Sequence, residues 1–299
     1  MNFLETITSG TVPKALAIII GQTGASYRPL GAMMAVYEDR RHLGHVSSGC
    51  IEADIVTRSL QAKKPEKVTY GQGSTFKDLT LPCGGGMEIL ILPNPNMSAL
   101  SAAHIHLEQR APTALSVDIE SGNIKITQSD TTGLLGNKFV LAMQPEQKFF
   151  VFGNGREALC FADMVHGTGY QAELFSTDQS LLSLCSIPAA QQHHLVSPRI
   201  PDIKQIDQWS SIVLFFHDHE LEEQILRDAL QTPAFYIGAQ GSFTTHLARV
   251  ETLKALGETE ENIARIHGPI GLIPKVRDPQ TLAISVLAEI QKVALEDQT

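Results

Sequence analysis

The sequence predicts an α/β protein in two parts: an N-terminal α+β domain with a mixed or antiparallel sheet, then a Rossmann-like, doubly wound parallel sheet. Three observations carry this. Residues 1–145 hold many short β-rich segments and few helical ones. Residues 146–299 alternate strand and helix. One strand–helix junction, FFVFGNGREALCFAD at 149–163, has the glycine spacing of a phosphate-binding turn.

The elements follow in order. Segments 16–20, 33–36, 67–70 and 87–92 are apolar and read as strands. Segments 114–118 and 123–127 flank Glu120-Ser121-Gly122, a hairpin signal, and 139–143 closes the set. Helices are expected at 51–62 and at 97–109, the second after a stop made by Pro93 and Pro95. The polar stretch Gln144-Pro145-Glu146-Gln147-Lys148 breaks the pattern, so the domain boundary is placed there, giving 1–145 and 146–299. Beyond it, strands are expected at 149–152, 171–176, 212–216 and 234–237. The run at 212–216 is apolar throughout, as in a strand buried on both faces. Helices are expected at 155–166, 221–230, 243–256 and 279–295, the last with Pro279 in its first turn.

Composition narrows the function classes. The chain has 299 residues, of which 43% are hydrophobic and 18% charged, so it can bury a core and is not disordered. A net charge of −9, with no basic cluster larger than Lys63-Lys64 or Arg40-Arg41, argues against nucleic acid and anionic membrane as partners. The start, MNFLETITSG, lacks a basic region, and the apolar runs are far shorter than the ~20 residues of a spanning helix. A soluble, cytoplasmic protein is expected. Its four cysteines, Cys50, Cys83, Cys160 and Cys185, form no Cys-x-x-Cys and are read as free thiols rather than a structural zinc site.

Several segments carry candidate chemistry. At 149–163, Gly153 permits the tight turn and Gly155 the approach of a pyrophosphate to a helix N-terminus. Ala158 stands at the third glycine position, and Asp178 follows the next strand, where an acid can bond a ribose hydroxyl. Gly241 and Ser242 sit at a second strand–helix junction suited to an anion. His217, Asp218 and His219 follow a buried strand; His217 with His219 could ligate a metal, but the favoured reading is that Asp218 caps the helix and the histidines are solvated or hydrogen-bonded, and His193-His194 is expected to be exposed. In the first half, Arg28 lies in a glycine-punctuated loop, and Cys83 precedes Gly84, Gly85 and Gly86. Three consecutive glycines suggest a backbone nest for an anion, or the close approach of a ligand or partner.

Cys50, in VSSGCIEAD, stands where a strand runs into a helix. The helix dipole favours its thiolate, while Glu52 and Asp54 oppose it by like charge. Local physics leaves both a core role and a chemical role open, since free cysteine is often buried. Cys160, mid-helix, and Cys185, in a short apolar stretch, are read as structural.

Taken together, these motifs resemble the XdhC/CoxI family, the xanthine dehydrogenase accessory proteins. GASYRPLGAMMAVYEDRRHLGHVSSGCIEADIV looks like the family's first signature and DLTLPCGGGMEIL like its second cysteine motif. AFYIGAQGSFTTHLARVETLKALG and RIHGPIGLIPKVRDPQTLAISVLAEI complete the set in order. Ser48 replaces a common glycine, and Asp39-Arg40-Arg41 an Asp-Gly turn; neither removes a thiol. The resemblance implies a maturation chaperone rather than an enzyme. It would bind the molybdenum cofactor (molybdopterin) transiently, assist its sulfuration by a cysteine desulfurase, and insert it into a xanthine dehydrogenase-type apoenzyme. Cys50 and Cys83 are then the candidates to touch molybdenum or carry sulfur, because soft thiolates suit that centre. Gly49, Gly84, Gly85, Arg28, Gly153, Gly155, Asp178, Gly241 and Ser242 are candidates for the rest of the cofactor site. A homodimer is expected as the commonest assembly. Two other readings stand beside it: an NAD(P)-dependent oxidoreductase using the Rossmann-like half, and a thiol-dependent transferase using Cys50.

Overall fold

The computed structural model describes residues 3–47, 49, 51–72, 84–216 and 219–296. The chain divides into two compact units, Met1–Pro145 and Glu146–Thr299.

The first unit begins with a short helix, α1 (Phe3–Ser9), and then builds one sheet from β1 (Ala15–Thr23), β2 (Met33–Val36) and β3 (His42–Leu43). Helix α2 (Glu52–Gln61) leads to β4 (Glu66–Gly71) and β5 (Gly86–Pro93), which complete a five-stranded sheet in the order β3-β2-β1-β5-β4. Every pairing in it is antiparallel. Helix α3 (Met97–Glu108) is capped by Asn96, whose side chain accepts from the Ala99 amide. A second antiparallel sheet follows from β6 (Thr113–Asp118), β7 (Ile124–Thr127), β8 (Gly133–Leu135) and β9 (Lys138–Met143), ordered β7-β6-β9-β8. The turn between β6 and β7 closes as its residues suggest. Asp118 accepts from the Ser121 amide and hydroxyl, and Gly122 takes φ +71.

The apolar run in β1 has a simple cause. Leu16, Ile18 and Ile20 join one core, with α3 and the second sheet, while Ala15, Ala17 and Ile19 join another, with Ile55 and Val56 of α2. A central strand covered on both faces loses its polar alternation whether its neighbours are parallel or not.

In the second unit, β10 (Lys148–Gly153), α4 (Arg156–Gly167), β11 (Gln171–Ser176), α5 (Gln179–Leu182) and β12 (Gln192–His194) form the first half. Then come β13 (Ser210–Phe215), α6 (His219–Leu230), β14 (Tyr236–Ala239), α7 (Phe243–Ala255), α8 (Glu260–Ala264), β15 (Ile266–His267) and α9 (Pro279–Glu296). The order is β12-β11-β10-β13-β14-β15, all parallel. Counted along this unit it is 3-2-1-4-5-6, the Rossmann order. One face is packed by Phe161 of α4 and Ile290 of α9, the other by Leu226 of α6, Leu253 of α7 and Ile263 of α8.

Two expectations need correction. The strand expected at 234–237 begins at Tyr236, because Arg265 donates to the carbonyls of Leu230, Thr232 and Ala234 and holds that stretch as a turn. The pair His193-His194 is not uniformly exposed. His194 is exposed, but His193 lies in β12, stacks on Phe175 at 4.5 Å and meets Glu173 at 2.6 Å. Among the described residues, no helix is long and apolar enough to cross a membrane.

Candidate functional site

The register of the first sheet brings three loops to one edge. Thr23, the last residue of β1, pairs with Gly86, the first of β5, and Gly86 also pairs with Gly71, the last of β4. Met33, the first residue of β2, pairs with Ile18 of β1, and β3 leaves the sheet beside it. The strand ends that lead into segment 24–32, into residues 44–47, and to residues 72 and 84–85 therefore lie on the same side. Helix α2 also starts there: its Asp54 accepts from the hydroxyl of Tyr70, near the end of β4, at 2.6 Å. One turn later, Arg58 bonds Glu66, the first residue of that strand, so α2 runs away from the edge.

Each candidate on this edge has its own local cause. The loop carrying Arg28 is closed by Gln22, which donates to Ser26 Oγ and the Arg28 carbonyl, while Ser26 Oγ donates to the same carbonyl. Arg28 itself is exposed. The three glycines divide. A side chain at Gly85 would run into the carbonyls of Thr23 and Ala25, and one at Gly86 into that of Gln72, so packing alone requires both. Gly84 differs: it is exposed, takes φ +71, and among the described residues nothing lies within 4 Å of a would-be Cβ. Gly49 is the same in this, exposed at φ +100 with no described atom near a would-be Cβ. Of the three, only Gly84 has no packing requirement among the described residues. Cys50, Cys83 and Ser48 lie outside the described residues, as do His217 and Asp218.

The acids beside Cys50 are not simple repelling charges. Glu52 is 5% exposed, and its carboxylate accepts from the Ser47 amide at 2.9 Å and the Ser47 hydroxyl at 2.5 Å. Burial pushes its carboxyl up, but the bonds from Ser47 outweigh burial and leave it below its ordinary value. Asp54 is paired with Arg58 at 2.7 Å. Burial again raises its carboxyl, and the Tyr70 hydroxyl and Arg58 bring it below the usual value. No capping-box spacing announces the contact between Ser47 and Glu52, since they are five residues apart rather than three.

The carboxyl edge of the second unit is assembled differently. Gly153 is required by packing: a Cβ there would sit 2.8 Å from the Phe215 carbonyl oxygen. Gly155, at φ +88, caps α4 without a side-chain bond, and Glu157 Oε2 lies 3.3 Å from where its Cβ would be. Ala158, at the third glycine position, is fully buried. Asn154 ties this turn to the end of β11, accepting from the Ser176 hydroxyl, the Thr177 amide and the Thr177 hydroxyl. Asp178 caps α5, accepting from the Ser180 and Leu181 amides and from the Ser180 hydroxyl; these bonds hold its carboxyl below the usual value. Gly241 adopts φ +150, and Ser242 caps α7 by accepting from the Thr245 amide at 3.1 Å. Behind that junction, Arg249 donates to the Gln240 carbonyl at 2.7 Å and pairs with Glu222; both side chains are under 5% exposed.

The remaining thiols are quiet. Burial pushes the Cys160 thiol up, with Asp163 adding to it. Cys185 donates to Asp163 at 3.2 Å, and burial pushes its thiol up to about 11. Neither is a thiolate at neutral pH. Among the described residues, no group of three His, Cys, Asp or Glu side chains is placed to hold a metal ion.

Comparison with known proteins places these features. Residues 9–71 match the model of the XdhC and CoxI family, and residues 149–290 that of the XdhC Rossmann domain. The molybdenum cofactor insertion chaperone PaoD of Escherichia coli (strain K12) is 33% identical over 299 residues, covering 99% of this chain and 87% of that protein. A Bacillus subtilis (strain 168) protein named as a probable xanthine dehydrogenase subunit is 20% identical over 325 residues, covering 97% of this chain and 96% of that protein. The crystal structure of a xanthine dehydrogenase from Bacillus halodurans superposes with a TM-score of 0.78 at 20% identity, covering 98% of this chain and 95% of that one, which shows a shared fold. Such likeness along nearly the whole chain means that this protein belongs to the XdhC and CoxI family.

Proposed function

We propose that this protein is a molybdenum cofactor insertion chaperone for a xanthine dehydrogenase-type molybdenum hydroxylase. It takes the cofactor as cargo, assists its sulfuration with a cysteine desulfurase, and acts as a cytoplasmic homodimer. The observation that carries the reading is the 33% identity, over 99% of the chain, to a relative named for that task. The edge of the first sheet supports it. Exposed Arg28, the α2 N-terminus and the open backbone at Gly49 and Gly84 suit a phosphate-bearing cargo. Gly85 shapes the same loop from beneath. Cys50 and Cys83 lie outside the described residues; the family resemblance gives them the part of soft ligands or sulfur carriers.

The NAD(P)-dependent oxidoreductase reading draws on the Rossmann strand order. Two observations weigh against it: the Glu157 carboxylate beside Gly155, where a pyrophosphate would approach, and the use of Asp178 as a helix cap.

The test is purification from a molybdenum-replete, pterin-competent host, followed by oxidation and fluorescence detection of released pterin. Pterin co-purifies with the wild-type protein, and Cys50→Ser or Cys83→Ser lowers its amount while leaving the fold intact. A pterin-free preparation that binds NAD(P)H tightly and turns it over overturns the reading.

A further inference from the structure

The chain between β15 and α9 carries apolar side chains that the fold holds in water. Leu272 and Ile273 are 50% and 47% exposed, and Ile284, in the first half of α9, is 55% exposed. Backbone bonds bring the three together. The Leu272 amide donates to the Ser285 carbonyl and the Ile273 amide to the Ser285 hydroxyl at 2.7 Å, and Ser285 follows Ile284 in the chain. The loop is also fixed from beneath. Ser285 is buried, and so is Ile270, which joins the core of Val286 and Ile290. Gly271, at φ +99, donates its amide to the Glu289 carboxylate, which also accepts from the Tyr236 hydroxyl at 3.2 Å. A Cβ at Gly271 would stand 2.6 Å from Ser285 Oγ, so glycine lets the loop lie this close to α9.

Single exposed aliphatic side chains are ordinary on a protein surface, but three held side by side on a stapled backbone form a patch. A loop ordered before contact loses less entropy when a partner docks. The charge around the patch indicates the kind of partner. Residues 268–288 contain Lys275, Arg277 and one acid, Asp278. Both cations are exposed, and neither makes an ion pair among the described residues. The Asp278 carboxylate accepts from the Thr281 amide at 2.8 Å. On a chain of net charge −9 this is a local excess of positive charge. A second copy docked by two-fold symmetry would bring both cations toward their own counterparts. Two cations on so acidic a chain also give an anionic bilayer little hold. A protein surface with apolar side chains beside carboxylates matches both the patch and its rim. We infer that Leu272, Ile273 and Ile284, rimmed by Lys275 and Arg277, dock a protein partner through an apolar segment bordered by acids. That this partner is the xanthine dehydrogenase-type apoenzyme rests on the proposed function.

The experiment uses the full chain and, as probe, the xanthine dehydrogenase-type apoenzyme of the same cells, purified after growth without molybdate. Binding is followed by surface-based interferometry, with pterin content and mass by light scattering read on the same preparations. The double variant Leu272→Ser, Ile273→Ser lowers affinity about tenfold or more, as the loss of central apolar anchors does. The double variant Lys275→Glu, Arg277→Glu slows association about fivefold or more and removes the salt dependence of the wild-type on-rate. Val196→Ser stays within about twofold of wild type, since Val196 is more exposed still but follows β12, at the opposite edge of the sheet from β15. Equal affinity in the wild type and the Leu272, Ile273 variant overturns the docking surface, as does a wild type that does not bind the apoenzyme. Two other results also overturn it. If the wild type but not that variant binds vesicles of mixed phosphatidylcholine and phosphatidylglycerol, the patch is a membrane contact. If that variant falls from dimer to monomer, the patch is a contact between copies. Variants that lose affinity yet keep wild-type pterin content support the surface. A pterin-free wild type that still binds the apoenzyme through the patch sinks the cargo reading alone.

Discussion

The two sheet edges of this protein use the same residue types for different ends. At the carboxyl edge of the second unit, the polar groups are bonded to one another: Asn154 to Ser176 and Thr177, Asp178 to its own helix, Arg249 to Glu222. Gly153 is there because a neighbouring strand leaves no room for a side chain. At the edge of the first unit, Gly85 and Gly86 serve the same packing purpose, but Gly49 and Gly84 have open space and positive φ, and Arg28 stands exposed. The lesson is that a glycine motif divides into positions that let the chain pack and positions that leave the chain accessible. Only the second kind leaves the backbone open to a ligand.

Four measurements can break or sharpen that contrast. The largest effect belongs to Arg249→Ala. It leaves the Glu222 carboxylate buried without its partner and costs about 3–5 kcal/mol in denaturant unfolding. A loss below ~1 kcal/mol would mean that the pair is not the buried architecture described here. Next come the packing glycines: Gly85→Ala and Gly153→Ala each destabilise by about 1–3 kcal/mol through overpacking, whereas Gly84→Ala bears only the ~1 kcal/mol strain of a left-handed alanine. Equal effects at Gly84 and Gly85 would erase the distinction. Arg28→Ala is expected to lower pterin retention about tenfold, the worth of one charge-assisted contact, and to move stability by no more than ~0.5 kcal/mol. Unchanged retention takes Arg28 out of the site.

The smallest effect is a pH dependence. Glu52 and Asp54 both have carboxyls held below their ordinary values in the folded chain. Their contribution to stability is therefore complete above the ordinary carboxylate range, near pH ~4, and is lost as the pH falls through their lowered folded values. A denaturant midpoint measured from neutral pH into acid should fall on that limb. Ser47→Ala should flatten the part due to Glu52 and leave the part due to Asp54.

Much of the architecture was legible because its signals are local. The strands at 87–92 and 171–176, the helices at 97–109 and 155–166, and the Ser-Gly hairpin turn all announce themselves within a few residues. Elements too short for a period escaped notice. Helix α1, the edge strands β3, β8, β12 and β15, and the small helices α5 and α8 have between two and seven residues each. Their existence depends on a neighbouring strand or core, as His193 shows: β12 pairs with β11, and the ring stacks on Phe175. The candidate site was half legible. Arg28, Gly49 and Gly84 were picked out by residue type, but Gly85 was credited with a ligand role that packing already explains. Glu52 was read only as a charge, and its carboxylate is also a buried hydrogen-bond acceptor.

The sequence by itself determined the parallel α/β character of the second unit, the β-rich first unit, and the order of the thiol and glycine motifs along the chain. Periodicity, turn chemistry and motif spacing are properties of neighbours in the chain, and a sequence displays them directly. Only the tertiary structure decided that the loops holding Arg28, Gly49 and Gly84 leave one sheet edge, because strand register joins residues far apart in sequence. It also decided which glycines are filled space and which are open, and which acids keep a free charge. Burial and partner choice exist only once the chain has folded, so the contact that buries the Glu52 carboxylate against Ser47 lies outside what residue order can show.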